Sequence, residues 1–256
     1  MFLTLLTILL GTAQAATVRL QTADGLKLSA TTSVSAKSQV GVIFAHQLRR
    51  TGQDWSELSK RMSASGFTTI APDLRGHGGS DKAGTELTAT DYAAMVKDLE
   101  AGAAWLRKQG VKQISCVGAS IGANLCARMA ANDASIVNLV LLSPGLNYKG
   151  ITSGDALKAY GERPVLIVAS EDDRVAKRAS GILEQVAQGQ VHYELLDSVG
   201  HGTQMLTRAG TLVPQITDWL VGKYKLTGGE LVKPKALISY DGDPIKSTGK
   251  KLQVHQ

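Results

Sequence analysis

The pentapeptide Gly118-Ala119-Ser120-Ile121-Gly122 constrains this chain more than any other stretch. It directly follows the apolar run Ile114-Ser115-Cys116-Val117 and opens a helix-compatible segment, Ala123 to Ala131. A serine on a strand-to-helix turn is held in strained backbone geometry, and small neighbours on both sides avoid the resulting clashes. In that context the spacing G-x-S-x-G describes a nucleophile elbow, with the hydroxyl raised at the end of a strand. By itself the pentapeptide is equally a glycine-rich turn carrying an incidental serine, so the flanking strand and helix decide between the two readings.

The rest of the chain alternates around that point. Thr17 to Gln21 and Leu26 to Ala30 flank Ala23-Asp24-Gly25 as a hairpin would and predict an antiparallel edge. Strands are predicted at Val40 to Ala45, Thr68 to Ala71, Val137 to Leu142, Pro164 to Ala169 and Val191 to Leu196. The first of these lacks alternation, as burial on both faces requires. Helices are predicted over Asp54 to Ser65, from a capping box at Thr88 and Asp91 to about Gln109, over Ala176 to Gln188 and over Gln204 to Val221. Alternating strands and helices imply a mostly parallel twisted sheet with helices on both faces, the α/β class. At 256 residues and 43% hydrophobic composition the chain suits one such domain, expected over residues 16–224.

The two ends read differently. Residues 1–15 carry no charged side chain, include Leu5-Leu6-Thr7-Ile8-Leu9-Leu10 and end in Ala13-Gln14-Ala15, a small-x-small site. This is the pattern of a signal peptide cleaved before Ala16, and it predicts an exported protein, periplasmic or secreted, with no stable membrane insertion after cleavage. Residues 225–256 form a basic extension in which strand-like Ala236 to Tyr240 precedes a turn signal, so a terminal hairpin and disorder are both open. From Lys223 onward seven lysines face three acidic residues, which places +4 of the total +6 charge in the tail. A solvated surface able to touch an anionic polymer fits this pattern, whereas a nucleic-acid role is disfavoured by the scarcity of arginine and the lack of a binding motif. Export would put the only two cysteines, Cys116 and Cys126, in an oxidising compartment at similar heights on the elbow strand and its helix. A disulfide and two buried thiols are both open, and the separation expected between strand and helix backbones favours the thiols.

Four stretches together resemble the α/β-hydrolase superfamily over most of residues 17–222: the elbow, Asp73-Leu74-Arg75-Gly76-His77-Gly78-Gly79-Ser80, Ser170-Glu171-Asp172-Asp173, and Gly200-His201-Gly202. The chain looks most similar to small secreted hydrolases without a lid, related to dienelactone hydrolases and simple carboxylesterases. Each candidate follows the carboxyl end of a strand, where open α/β sheets place their sites, and the order Ser, Asp, His is that of the superfamily. The resemblance implies Ser120 as nucleophile and His201 as its base. It implies Asp173, fourth in Ser170-Glu171-Asp172-Asp173, as the acid that orients the imidazole, leaving Asp172 as a solvated loop carboxylate. The oxyanion donors it implies are the backbone N–H groups of Ile121 and Leu48, although Gln47 stands where the family has glycine and its side chain is an alternative donor. His46 and the Arg75 to Ser80 turn are expected to be structural.

No Cys/His cluster has zinc spacing and no G-x-G-x-x-G follows a strand, so neither a metal nor another cofactor is implied. Only Pro144 to Glu162 lie where relatives insert a lid, enough for a loop or short helix, with Leu146, Tyr148 and Leu206 as candidate pocket residues. The expected function is a monomeric serine hydrolase that cleaves small-molecule or polymer carboxylic esters through an acyl-enzyme. Thioesterase, peptidase and dienelactone-hydrolase-like activities are the alternatives on the same residues, the last weakened because those relatives usually carry cysteine at the position of Ser120. A non-catalytic binding protein on the same fold is the alternative outside the enzyme class.

Overall fold

The computed structural model describes residues 15–224. The expected leader therefore lies outside the described residues apart from Ala15, and the basic extension over 225–256 lies wholly outside them. Among the described residues ten strands occur in chain order: β1 (Ala15–Gln21), β2 (Lys27–Ser33), β3 (Val40–Ala45), β4 (Thr68–Pro72), β5 (Gln113–Ala119), β6 (Ile136–Leu142), the short pair β7 (Asn147–Tyr148) and β8 (Ile151–Thr152), β9 (Val165–Ser170) and β10 (Val191–Leu196). Eight of them form one sheet in the order β1-β2-β4-β3-β5-β6-β9-β10, while β7 and β8 pair separately. The hairpin β1–β2 supplies the antiparallel edge, β2 runs antiparallel to β4, and every pairing from β4 to β10 is parallel.

The period of two in a strand divides the apolar residues between two cores. Ile43, Cys116, Leu139 and Ile167 face one, closed by α3 (Val96–Lys108), α4 (Ile121–Asn132), α5 (Gly154–Tyr160) and α6 (Arg174–Val186). Phe44, Val117, Val140 and Leu166 face the other, closed by α1 (Ser56–Ala64), α7 (Gln204–Arg208) and α8 (Leu212–Leu220). With both faces covered, all seven residues of β6 are buried, which is why the strand reads as a nearly unbroken apolar run.

Two predicted helices are interrupted. The capping box at Thr88 and Asp91 is present, but it starts a short helix, α2 (Ala89–Ala94), which breaks at Met95 before α3. Around Met95 the backbone bonds close over three residues, and the break precedes buried Asp98, the partner of Arg75. The helix expected over 204–221 splits into α7 and α8 because Ala209 adopts an extended conformation ahead of Gly210.

The Arg75 to Ser80 turn is held from inside. Arg75 is almost wholly buried; its Nη2 lies 2.7 Å from Asp98 Oδ1 and its Nη1 2.8 Å from Asp24 Oδ2. Its backbone N–H also donates to Asp98 at 2.8 Å. Asp73 completes the anchorage, accepting from the N–H groups of Gly52 and Gly79.

Cys116 and Cys126 form a disulfide, with Cα atoms 5.6 Å apart, so the expectation of two buried thiols is corrected. That expectation assumed an ordinary strand-to-helix spacing. Here a Cβ on Gly118 would stand 2.3 Å from the Gly122 carbonyl oxygen, so backbone meets backbone where side chains would keep β5 and α4 apart.

Two measurements follow. The protein unfolded without reductant should show no titratable thiol, and a count of two would exclude the bridge. Replacing Arg75 with Ala should lower the urea-unfolding free energy by about 3–5 kcal/mol, because it leaves Asp98 as a buried, uncompensated charge.

Candidate active site

Ser120 is the turning point between β5 and α4, with φ 54° and ψ −120°, a left-handed conformation that non-glycine residues seldom adopt. Its N–H donates to the Leu142 carbonyl at 2.8 Å, which fixes the turn to the neighbouring strand end. On the other side a Cβ on Gly122 would stand 2.3 Å from the Ala45 carbonyl oxygen, so the first turn of α4 packs directly on the end of β3. The strain of the serine is thus imposed by backbone on both sides.

His201 and Asp173 meet at the carboxyl end of the sheet, with Nδ1 to Oδ2 at 2.6 Å. Asp173 follows β9 as the N-cap of α6, and its Oδ1 accepts from the Ala176 N–H at 3.2 Å. Asp172 is exposed, but it is more than a solvated carboxylate: its Oδ1 accepts from the Ser170 hydroxyl and, at 3.1 Å, from the Gly200 N–H. It braces the loop that carries His201.

That loop is held residue by residue. The N–H of Val199 donates to Ser170 Oγ, that of Gly200 to Asp172, that of His201 to Gln204 Oε1, that of Gly202 to Ser143 Oγ, and that of Thr203 to Gln47 Oε1, at distances between 2.8 and 3.2 Å. The acceptors come from the ends of β9 and β6, the loop after β3 and the start of α7. A loop without its own backbone ladder is fixed by side chains from four separate elements. Sequence reasoning missed Gln47, Ser143 and Ser170 in this role. Their one shared signal is a hydrogen-bonding side chain immediately after or at the carboxyl end of a buried strand.

The loop after β3 has its own lock. His46 is fully buried; its Nε2 accepts from the Leu74 N–H at 2.9 Å, and its Nδ1–H donates to the Gln47 carbonyl at 2.8 Å. The same carbonyl accepts from the Arg50 N–H. Because the peptide is planar and trans, holding the Gln47 carbonyl this way turns the Leu48 N–H in the opposite direction. Among the described residues neither that N–H nor the Ile121 N–H finds a hydrogen-bond acceptor. Gln47 Oε1 accepts from the Thr203 N–H at 2.8 Å, which ties this loop to the one that carries His201. Burial lowers the His46 pKa to about 4.

Ser120 and His201 do not hydrogen-bond to each other in this structure; both stand against Tyr148. The Tyr148 ring lies edge-on to the imidazole with centroids 6.4 Å apart. The Tyr148 hydroxyl donates to the Ser143 carbonyl at 3.4 Å; burial and the Asp173 carboxylate push the phenol up, and the neighbouring Ser120 hydroxyl opposes them. Of the other candidate pocket residues, Leu146 is exposed and Leu206 packs against the second core. His77 bonds to the Arg75 carbonyl, and His192 to Glu194 and Tyr224, so each has a local structural role. No group of three or more His, Cys, Asp or Glu side chains among the described residues could hold a metal ion.

Comparison with known proteins agrees with this architecture. The family described as alpha/beta hydrolase fold matches residues 41–158. An esterase from Pyrococcus furiosus superposes with a TM-score of 0.67 at 19% identity, over 82% of this chain and 92% of that one. A dienelactone hydrolase from Anabaena variabilis gives 0.67 at 15% identity, over 82% and 98%. The chain therefore has the α/β-hydrolase fold, and no lid domain occurs among the described residues. Among curated proteins it is 29% identical over 125 residues to a thermostable monoacylglycerol lipase of Bacillus sp. (strain H-257), and 30% identical over 111 residues to an uncharacterized Mycobacterium tuberculosis protein. It spans 48% and 30% of their lengths, respectively.

The His46 lock predicts a pH dependence of stability. Below pH 6.5 the unfolded chain binds a proton that the folded protein refuses until about pH 4. The stabilisation is therefore complete above pH 6.5 and is lost as pH falls toward 4, by up to roughly 3 kcal/mol. Urea unfolding of wild type and His46→Gln between pH 7 and 4.5 should show a shallower slope in the variant; equal slopes would assign the effect to other groups.

Proposed function

We propose that this chain is an exported, monomeric serine hydrolase that cleaves carboxylic esters through an acyl-enzyme on Ser120. The observation that carries the reading is the 2.6 Å contact between Asp173 and His201 at the sheet end that also bears the left-handed Ser120. A binding module has no physical need for an imidazole oriented by a carboxylate beside a strained serine. The names of the Pyrococcus esterase and the Bacillus lipase lend ester hydrolysis further support. Export rests on the uncharged, leucine-rich residues 1–15 and suits a chain whose two cysteines are paired.

In the proposed reaction His201 Nε2 accepts the Ser120 proton as Oγ attacks the ester carbon, and Asp173 stabilises the imidazolium. The carbonyl π pair moves onto oxygen, and the oxyanion is met by the N–H groups of Ile121 and Leu48. The imidazolium then protonates the departing alkoxide, which leaves as alcohol when the tetrahedral centre collapses. Water, deprotonated by the same imidazole, cleaves the acyl-enzyme to carboxylate and free Ser120.

A fluorophosphonate should label the protein once, at Ser120, with ester hydrolysis lost in step. Ser120→Ala and His201→Ala should both prevent labelling in folded protein. Asp173→Asn should reduce kcat on the order of 10⁴-fold, through the wrong imidazole tautomer. Asp172→Asn should cost much less, because it loosens the loop and leaves the tautomer intact. A folded protein that neither reacts with the probe nor turns over esters, thioesters or peptide anilides would be a binding module. Preference for thioesters or anilides would move the substrate class and keep the residues.

A further inference from the structure

The segment between β6 and β9 is short, yet it is built to hold one side chain over the site. Lys149 and Gly150 both have positive φ and form the two-residue turn of the β7–β8 hairpin, a turn whose twist matches that of its strands. Asn147 Oδ1 accepts from the Gly150 N–H at 2.8 Å, and the Lys149 ammonium sits 5.7 Å from the centre of the Tyr92 ring. Residues 146, 147, 149 and 150 are exposed, and Tyr148 alone among these five turns inward.

The hairpin is fastened to the helix that begins at the elbow. Asn124, one turn beyond Ser120 in α4 and fully buried, uses both ends of its amide: Nδ2 donates to the Ile151 carbonyl at 2.7 Å, and Oδ1 accepts from the Gly145 N–H at 3.1 Å. Ser153 Oγ adds a bond to the Gly145 carbonyl at 2.6 Å. Gly145 also makes room for the phenol, since a Cβ there would stand 2.6 Å from the Tyr148 ring. The ring is thus fixed relative to Ser120 by a buried amide, so it forms a wall of set position.

The proposed chemistry indicates which part of an ester meets this wall. The leaving oxygen receives its proton from His201 and departs from the carbon bonded to Ser120 Oγ, so it lies between those two side chains. Tyr148 borders both. The oxyanion lies toward the Ile121 and Leu48 amides, a separate direction.

We propose that Tyr148, held by Asn124, is a specificity-determining residue that limits the alcohol portion of the ester, so that the preferred substrates are esters of small, unbranched alcohols. The inference rests on the esterase reading and refines its substrate class.

Two ester series separate the two: methyl, butyl and benzyl esters of one acid, and acetate, butyrate and octanoate esters of one alcohol. In wild type kcat/KM should fall along the alcohol series by roughly 10-fold or more, the scale on which a pocket rejects added carbons. Tyr148→Ala should flatten that fall while the acyl ranking stays as in wild type. Tyr148→Phe, which keeps the ring, should retain the alcohol ranking. The proposal is overturned by a flat alcohol series in wild type, by an Ala variant that changes the acyl ranking and not the alcohol ranking, or by a Phe variant that relaxes as much as Ala. Fluorophosphonate labelling of each protein serves as control: labelled, active enzyme with the wrong selectivity removes this inference alone, whereas unlabelled, inactive folded protein removes the esterase reading and the inference with it.

Discussion

The contact on which the site depends is backbone against backbone at the start of α4. Gly118 meets the Gly122 carbonyl, and Gly122 meets the Ala45 carbonyl, at distances no Cβ could share. This close approach seats the helix on the sheet, forces Ser120 into its left-handed conformation and draws Cys116 and Cys126 near enough to bond. The bridge closes a loop with a sequence separation of 10 around the elbow, worth roughly 3 kcal/mol in chain-entropy terms. One steric permission therefore accounts for the strain of the serine and for the covalent brace beneath it.

The imidazole is held by a different device. His201 lies in a loop whose backbone N–H groups from Val199 to Thr203 are each taken by a side chain. Gln47, Ser143 and Ser170 stand at or just beyond the ends of β3, β6 and β9, so the sheet itself sets the position of the loop through them. The Thr203 hydroxyl extends the same network to Asp54, which pairs with Arg50 beside the Leu48 loop. Base and oxyanion loop are consequently joined by one hydrogen-bonded system, and moving either costs bonds in the other. Glutamine in the place of the family's glycine is part of that system, its carbonyl oriented by His46 and its amide oxygen by Thr203.

Where many relatives carry a lid, this chain has a two-residue turn and a single inward tyrosine. A hairpin that small has little stability of its own. Asn124, Ser153 and the buried Ile151 supply what it lacks, and they tie it to the nucleophile helix and not to a mobile segment.

Much of the fold was legible in the sequence because both its periods are local. Continuous apolar runs such as Val40 to Ala45 announce strands buried on two faces, and the G-x-S-x-G spacing announces the turn between β5 and α4. Thr88 and Asp91 announce a helix start through a bond spanning three residues. The breaks at Met95 and Ala209 were not legible, since each depends on how a helix meets the rest of the fold. The same holds for the site. Sequence alone determined which residue types follow which strands, placing Ser120, the Asp172-Asp173 pair and His201 at one end of the sheet. Only the tertiary structure decided that Asp173 faces the imidazole while Asp172 braces the loop, that the cysteines are close enough to bond, and that Asn124 holds Tyr148 against Ser120. These are contacts between residues far apart in the chain or across a packed interface, and their distances are set by how closely strand, helix and loop can approach.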